Sequence, residues 1–174
     1  QHMEMARDIA GKFNHTYSKI FNLPEALIQN EISVPGIDGR KMSKSYNNII
    51  PFLCSEKELK KAISKIVTNS LEPGEPKDCN NCNLFELYSL FGNAEQIASF
   101  KQAYSDGISW GDAKKELFTV INSEITPIRE KYFELNAQPD LLNDLFADGA
   151  RKVRPQAQEL IEKLRDLVGI SKIV

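Results

Sequence analysis

The stretch Gly39–Asn48, GRKMSKSYNN, places three cations and two serine hydroxyls within six residues, between a glycine and an Asn-Asn pair. So many donors on a segment with little to bury belong on a loop that meets an anion. Lysine is a compact point charge on a flexible stem, and serine hydroxyls and loop amides are short-range donors. Together they suit an anion whose charge grows as it reacts, such as a departing pyrophosphate, where each well-aimed donor is worth roughly 2–4 kcal/mol. The glycine spacing of a Walker-type phosphate loop is absent. A second constellation is the CxxC pair Cys79 and Cys82, with Cys54 upstream. Three thiolates with Asp78 or water could hold a soft metal, whereas three cysteines cannot form a Cys₄ site within the chain. No metal is expected unless that set assembles. A third is the cluster Arg151, Lys152 and Arg154, which follows a stretch from Glu134 to Gly149 that carries four acids and no cation. This cluster, with Lys57, Lys60, Lys61 and Lys65, is the candidate surface for phosphate backbones. Of the two histidines, His2 is expected to be structural or to support a site indirectly, and His15 to lie at the surface.

These residues need elements to position them. Net charge is −2 over 174 residues, so an anion site must be a local patch rather than a global basic field. No apolar run reaches the length of a membrane span, and an odd cysteine count without framework spacing suits a reducing cytoplasm. Met5, Ile9, Phe13 and Tyr17 recur every four positions, which predicts a first helix with one buried face, broken at Pro24. Ile32 and Val34 alternate with polar neighbours as in a short strand. Pro35-Gly36 and Asp38-Gly39 then read as turns, leaving the lysine-serine stretch on an exposed loop. Beyond residue 54 the pattern is helical. Ser55 with Glu58 forms a capping box ahead of Leu59, Ala62, Ile63, Ile66 and Val67. Short helices follow around Leu84–Phe91 and after Asn93. A long helix runs from Ala113 to Tyr132, kinked at Pro127, and a segment begins at Leu141. A last helix is expected to start at Pro155 and end at Gly169. Phe85, Tyr88, Phe91 and Phe118 fall at helical spacing and are core before they are stacking platforms.

Lys41-Met42-Ser43-Lys44-Ser45 is letter for letter the KMSKS signature of class I aminoacyl-tRNA synthetases. Its flanks GRKMSKSYNNIIPF, the opening QHMEMARDIAGKFN and the later CNLFELY resemble the bacterial tryptophanyl-tRNA synthetases over essentially the whole chain. The resemblance implies a mainly α chain. Residues 1–54 would be the tail of a Rossmann-type α/β catalytic domain carrying the KMSKS loop, and residues 55–174 a helical anticodon-binding domain. It implies that tryptophan attacks the α-phosphate of Mg²⁺-bound ATP and that the tryptophanyl group then passes to tRNA(Trp). Lys41 and Lys44 would grip the ATP phosphates, Lys44 chiefly in the transition state. Ser43, Ser45 and the loop amides would hold the phosphates, Met42 would lie against the adenine end, and Ile32 would line the adenine pocket. Arg151, Lys152 and Arg154 would contact tRNA. The family's His-Ile-Gly-His signature is absent, and its Gly-x-Asp-Gln segment and indole-reading carboxylate would lie upstream of Gln1. The chain is therefore expected to be a C-terminal half that alone neither activates nor selects tryptophan, and a homodimer in the full-length, cytoplasmic enzyme. Tyrosyl-tRNA synthetase and a non-catalytic tRNA-binding paralogue are the alternatives. An intact lysine pair argues against the latter.

Overall fold

The computed structural model describes residues 1–27 and 33–170. Ile32, expected on a strand beside the adenine, lies outside them. The chain is mainly helical, and among the described residues its one β pairing is an isolated antiparallel bridge between Pro35 and Lys41. The helices are α1 (His2–Thr16), α2 (Glu56–Ser64), α3 (Asn83–Phe91), α4 (Ala94–Ser105), α5 (Trp110–Asn136) and α6 (Pro139–Val168). They fall into two compact units, one spanning Ile32–Ala137 and the other Gln1–Glu31 with Gln138–Val174.

The first of these units holds the core. The capping box at the start of α2 forms as the sequence predicts: the Ser55 hydroxyl accepts the Glu58 N–H and the Glu58 carboxylate accepts the Ser55 N–H. Asn93 and Gln96 do the same for α4, and Ser109 caps α5 through the Asp112 N–H. Such caps satisfy amides that the first helical turn leaves without partners. α5 packs against both α2 and α3. Leu59, Ile63 and Ile66 from the α2 region, Leu84 and Leu87 from α3, and Leu117, Ile121 and Ile125 from α5 form one buried cluster. The predicted core aromatics join it: Tyr88 stacks on Phe100 with ring centroids 3.9 Å apart, and Phe85 meets Tyr104 edge-on at 5.4 Å. α2 ends one turn earlier than its apolar pattern suggests. Ile66 is buried beyond the helix end, and Val67 is exposed because the chain has by then turned to pair its N–H with the Ile37 carbonyl.

The second unit departs further from expectation. α1 forms, but of its apolar positions only Ala10 is buried, while Met5 and Ile9 are exposed. Phe13 instead gathers Tyr17 and Phe21 locally. Asn14 fastens the chain as it leaves α1, its Oδ1 accepting the Ile20 and Phe21 amides and its Nδ2 donating to the Phe21 carbonyl. Pro155, expected to open a new helix, lies inside a single 30-residue α6. A proline cannot give the N–H that the carbonyl four residues earlier would accept, and on an exposed stretch water can take that role, so the helix passes through. The proline that does open α6 is Pro139, and Gly169 ends it in the left-handed conformation, as expected. α5 likewise continues through Pro127. No helix among the described residues is long and apolar enough to cross a membrane.

Candidate functional site

The KMSKS stretch folds into a compact turn at the edge of the core unit. The chain enters through Val34, whose carbonyl accepts the Met42 N–H at 2.8 Å, while the Gly36 N–H donates to the Arg40 carbonyl at 2.7 Å. Gly39 takes a left-handed φ of 84°, which favours glycine at this tight reversal. Lys44–Tyr46 form one turn of 3₁₀ helix, capped by the Ser43 hydroxyl, which accepts the Ser45 N–H at 3.2 Å. Asn47 closes the turn at φ 51°, a conformation asparagine tolerates better than most residues.

Lys41 and Lys44 are exposed, and neither forms an ion pair among the described residues. The nearest acid on the turn, Asp38, is engaged elsewhere, accepting from the Arg40 guanidinium at 2.7 Å. Arg40 also lies 4.4 Å from the centre of the Tyr46 ring. Among the described residues the two lysine ammonium groups therefore have no acidic partner, and they share the turn with the Ser43 and Ser45 hydroxyls. Three of the amides expected to hold phosphate are already used within the turn: Met42 on Val34, Ser43 on the Asn48 side chain, and Ser45 on Ser43.

Met42, expected against the adenine, is half-buried against the helical core and lines an apolar cavity with Leu59, Leu87, Phe91, Ile121 and Ile125. Its side chain anchors the turn to α2, α3 and α5. Asn83, at the start of α3, adds a polar tie by donating to the Gly36 carbonyl at 2.7 Å. The residue that sequence reasoning missed is Asn48. It is 1 % exposed, and its amide bonds to the backbone on both sides of Met42. The Asn-Asn pair after KMSKS signalled turn chemistry, but nothing local showed which of the two faced inward.

The cysteine cluster does not assemble. Cys54 donates to the Pro51 carbonyl at 3.1 Å, whereas the Cys82 sulfur lies 3.6 Å from the Tyr104 hydroxyl. Among the described residues no group of three His, Cys, Asp or Glu side chains could hold a metal ion, so Cys54, Cys79 and Cys82 with Asp78 do not come together as a ligand set. Burial, reinforced by the Glu58 charge, pushes the Cys54 thiol up, and burial pushes the Tyr104 phenol far above its ordinary value. Neither group is activated at neutral pH.

Lys57, Lys60, Lys61 and Lys65 are exposed along or just beyond α2. On α6, Arg151 and Lys152 both pair with Asp148, at 3.1 and 2.8 Å. These two pairings hold the Asp148 carboxyl below its usual range, the Lys152 bond having the larger effect. Arg154 lines a shallow groove with Ala147, Ala150, Arg151, Pro155 and Gln158. His2 and His15 are both exposed, at opposite ends of α1.

Comparison with known proteins places this turn in context. The family described as tRNA synthetases class I (W and Y) matches residues 1–126. The tryptophan–tRNA ligase of Neisseria meningitidis is 47 % identical over 171 residues, covering 98 % of this chain and 51 % of that protein. The tryptophan–tRNA ligase of Pseudomonas aeruginosa is 47 % identical over 177 residues, covering 99 % of this chain and 40 % of that protein. A crystal structure of tryptophanyl-tRNA synthetase from Campylobacter jejuni, complexed with ADP and tryptophan, superposes with a TM-score of 0.86 at 42 % identity, over 97 % of this chain and 53 % of that one. The chain thus spans about half the length, or less, of the relatives it matches.

Proposed function

This chain belongs to the class I tRNA synthetases of the tryptophan and tyrosine family, and from that premise we propose that it supplies the phosphate-gripping loop and RNA-facing helices of a tryptophan–tRNA ligase. The observation that carries the proposal is the KMSKS turn itself, with both lysine ammonium groups exposed, without an acidic partner among the described residues, and set on a turn bolted to the core. In the first half-reaction the tryptophan carboxylate oxygen attacks the α-phosphorus of ATP, the bond to the bridging oxygen breaks, and pyrophosphate leaves with the displaced electron pair. The chemistry needs positioning and charge neutralisation rather than covalent help from the protein. Lys44 and Lys41 oppose the charge that develops on pyrophosphate, and the Ser43 and Ser45 hydroxyls add short donors. Mg²⁺ enters with ATP as part of the substrate.

Tryptophan rather than tyrosine is supported by relatives at 47 % identity that carry that name. The helices from residue 55 onward are assigned to tRNA binding, with Arg151, Lys152 and Arg154 on α6 and the α2 lysines as phosphate contacts. The full-length protein is proposed to act as a cytoplasmic homodimer. The test is tryptophan-dependent ATP–pyrophosphate exchange. Full-length protein exchanges with tryptophan and not with tyrosine, and residues 1–174 alone exchange with neither. Exchange supported by tyrosine, or by this chain alone, contradicts the proposal.

A further inference from the structure

The KMSKS turn closes around one buried side chain. Asn48 sits at its base with every polar atom of its amide engaged. Its Oδ1 accepts the Ser43 N–H at 2.8 Å, and its Nδ2 donates to Asp38 Oδ1 at 2.7 Å and to the Lys41 and Arg40 carbonyls at 3.2 and 3.4 Å. Its own carbonyl accepts the Ile37 N–H at 2.9 Å. One side chain thus fixes peptide groups at both edges of Met42, between the two lysines. Room for it depends on Gly36, where an added Cβ would overlap the Asn48 amide. We propose that Asn48, locked to Asp38, is a positioning residue for the phosphate-gripping lysines: it sets the backbone path from residue 40 to residue 43, and through it the reach of Lys41 and Lys44. This rests on the function proposed above.

The partnership is polarised. Asp38 can only accept, so the residue opposite it must donate, and a neutral amide that also accepts the Ser43 N–H meets both demands. An aspartate at 48 has the right shape and keeps the acceptor, but it would set two carboxylates at hydrogen-bond distance. Such a pair holds together only by sharing a proton. The charged or titratable residues around the pair include Arg40, ion-paired to Asp38, Lys41, whose carbonyl Asn48 also bonds, and Asp78 and Cys82, which line the same cavity as Asp38.

The test uses full-length enzyme and three variants. Asn48→Asp lowers kcat for tryptophan-dependent pyrophosphate exchange by about 10- to 100-fold at pH 8, as expected for misplaced reacting groups, with the KM for tryptophan unchanged. Its deficit narrows as the pH falls towards 5.5 and the carboxylates come to share a proton. Asp38→Asn combined with Asn48→Asp removes the carboxylate pair, so part of the rate returns at pH 8 and the acid dependence shrinks; recovery stays incomplete because the Lys41 and Arg40 carbonyls lose the donor that Asn48 gave them. An unchanged rate, a deficit of equal size at every pH, or no recovery in the double variant overturns the proposal. Asn48→Ala supplies a readout independent of activity: hydrogen exchange at the Ser43 amide accelerates at least about tenfold, and unchanged protection there overturns the latch. Failure of the unmodified enzyme to exchange pyrophosphate would instead contradict the function assigned above, while the amide measurement still decides the role of Asn48.

Discussion

Asp38 is a carboxylate whose work is structural. The Asn48 amide beside it, followed by Arg40, holds its carboxyl below the ordinary value of 3.8. A group whose pKa is depressed on folding adds stability that is fully present above its unfolded pKa and is lost as the pH falls through the folded one. Acid should therefore loosen the KMSKS turn below about pH 4. Hydrogen exchange at the Met42 and Ser43 amides, followed between pH 6 and pH 3, should show protection falling in that window. With Asp38→Asn that fall should flatten, because the titrating group is gone. At the same scale, Met42 serves as an apolar anchor, a role its neighbours in sequence could not reveal because the residues it touches lie on α2, α3 and α5.

Elements here are set by local chemistry at their ends and by packing in their middles. Ser55→Ala removes one half of a formed capping box and should cost about 1 kcal/mol, read from the urea midpoint. Leu117→Ala, on the fully buried face of α5, should cost about 2–5 kcal/mol through lost burial and a cavity among α2, α3 and α5. Both features were legible in the sequence, since a Ser-x-x-Glu cap and an i, i+3, i+4 stripe are short-range patterns. The KMSKS letters were likewise readable as an exposed loop. The illegible parts depend on surroundings that a local pattern does not carry. Pro155 reads as a helix start because its local rule is strong, yet the helix runs through it on an exposed stretch. Cys54 pairs with Cys79 and Cys82 only on paper, since the fold draws Cys82 to Tyr104 and Cys54 to the Pro51 carbonyl. Asn48 looked like any loop asparagine until the turn closed over it.

For the chain as a whole, a net charge of −2 over 174 residues means that the proposed RNA partner would be met by local cationic faces. Replacing Arg151, Lys152 and Arg154 together by alanine should weaken tRNA binding evenly across sequences. It should also reduce the slope of log K against log salt by roughly 0.7–0.9 for each phosphate that is no longer neutralised. Because Arg151 and Lys152 already neutralise Asp148, removing that charge by Asp148→Asn should strengthen tRNA binding. The proposed function turns on the two ammonium groups of this latched turn, which would neutralise the charge that appears as ATP is split. The direct test is full-length enzyme with Lys41→Met and Lys44→Met together, assayed by tryptophan-dependent pyrophosphate exchange. The account predicts a fall in kcat of at least about 10³-fold with tryptophan affinity retained, in line with two donors of roughly 2–4 kcal/mol each acting as a unit. Exchange at the unmodified rate would contradict it.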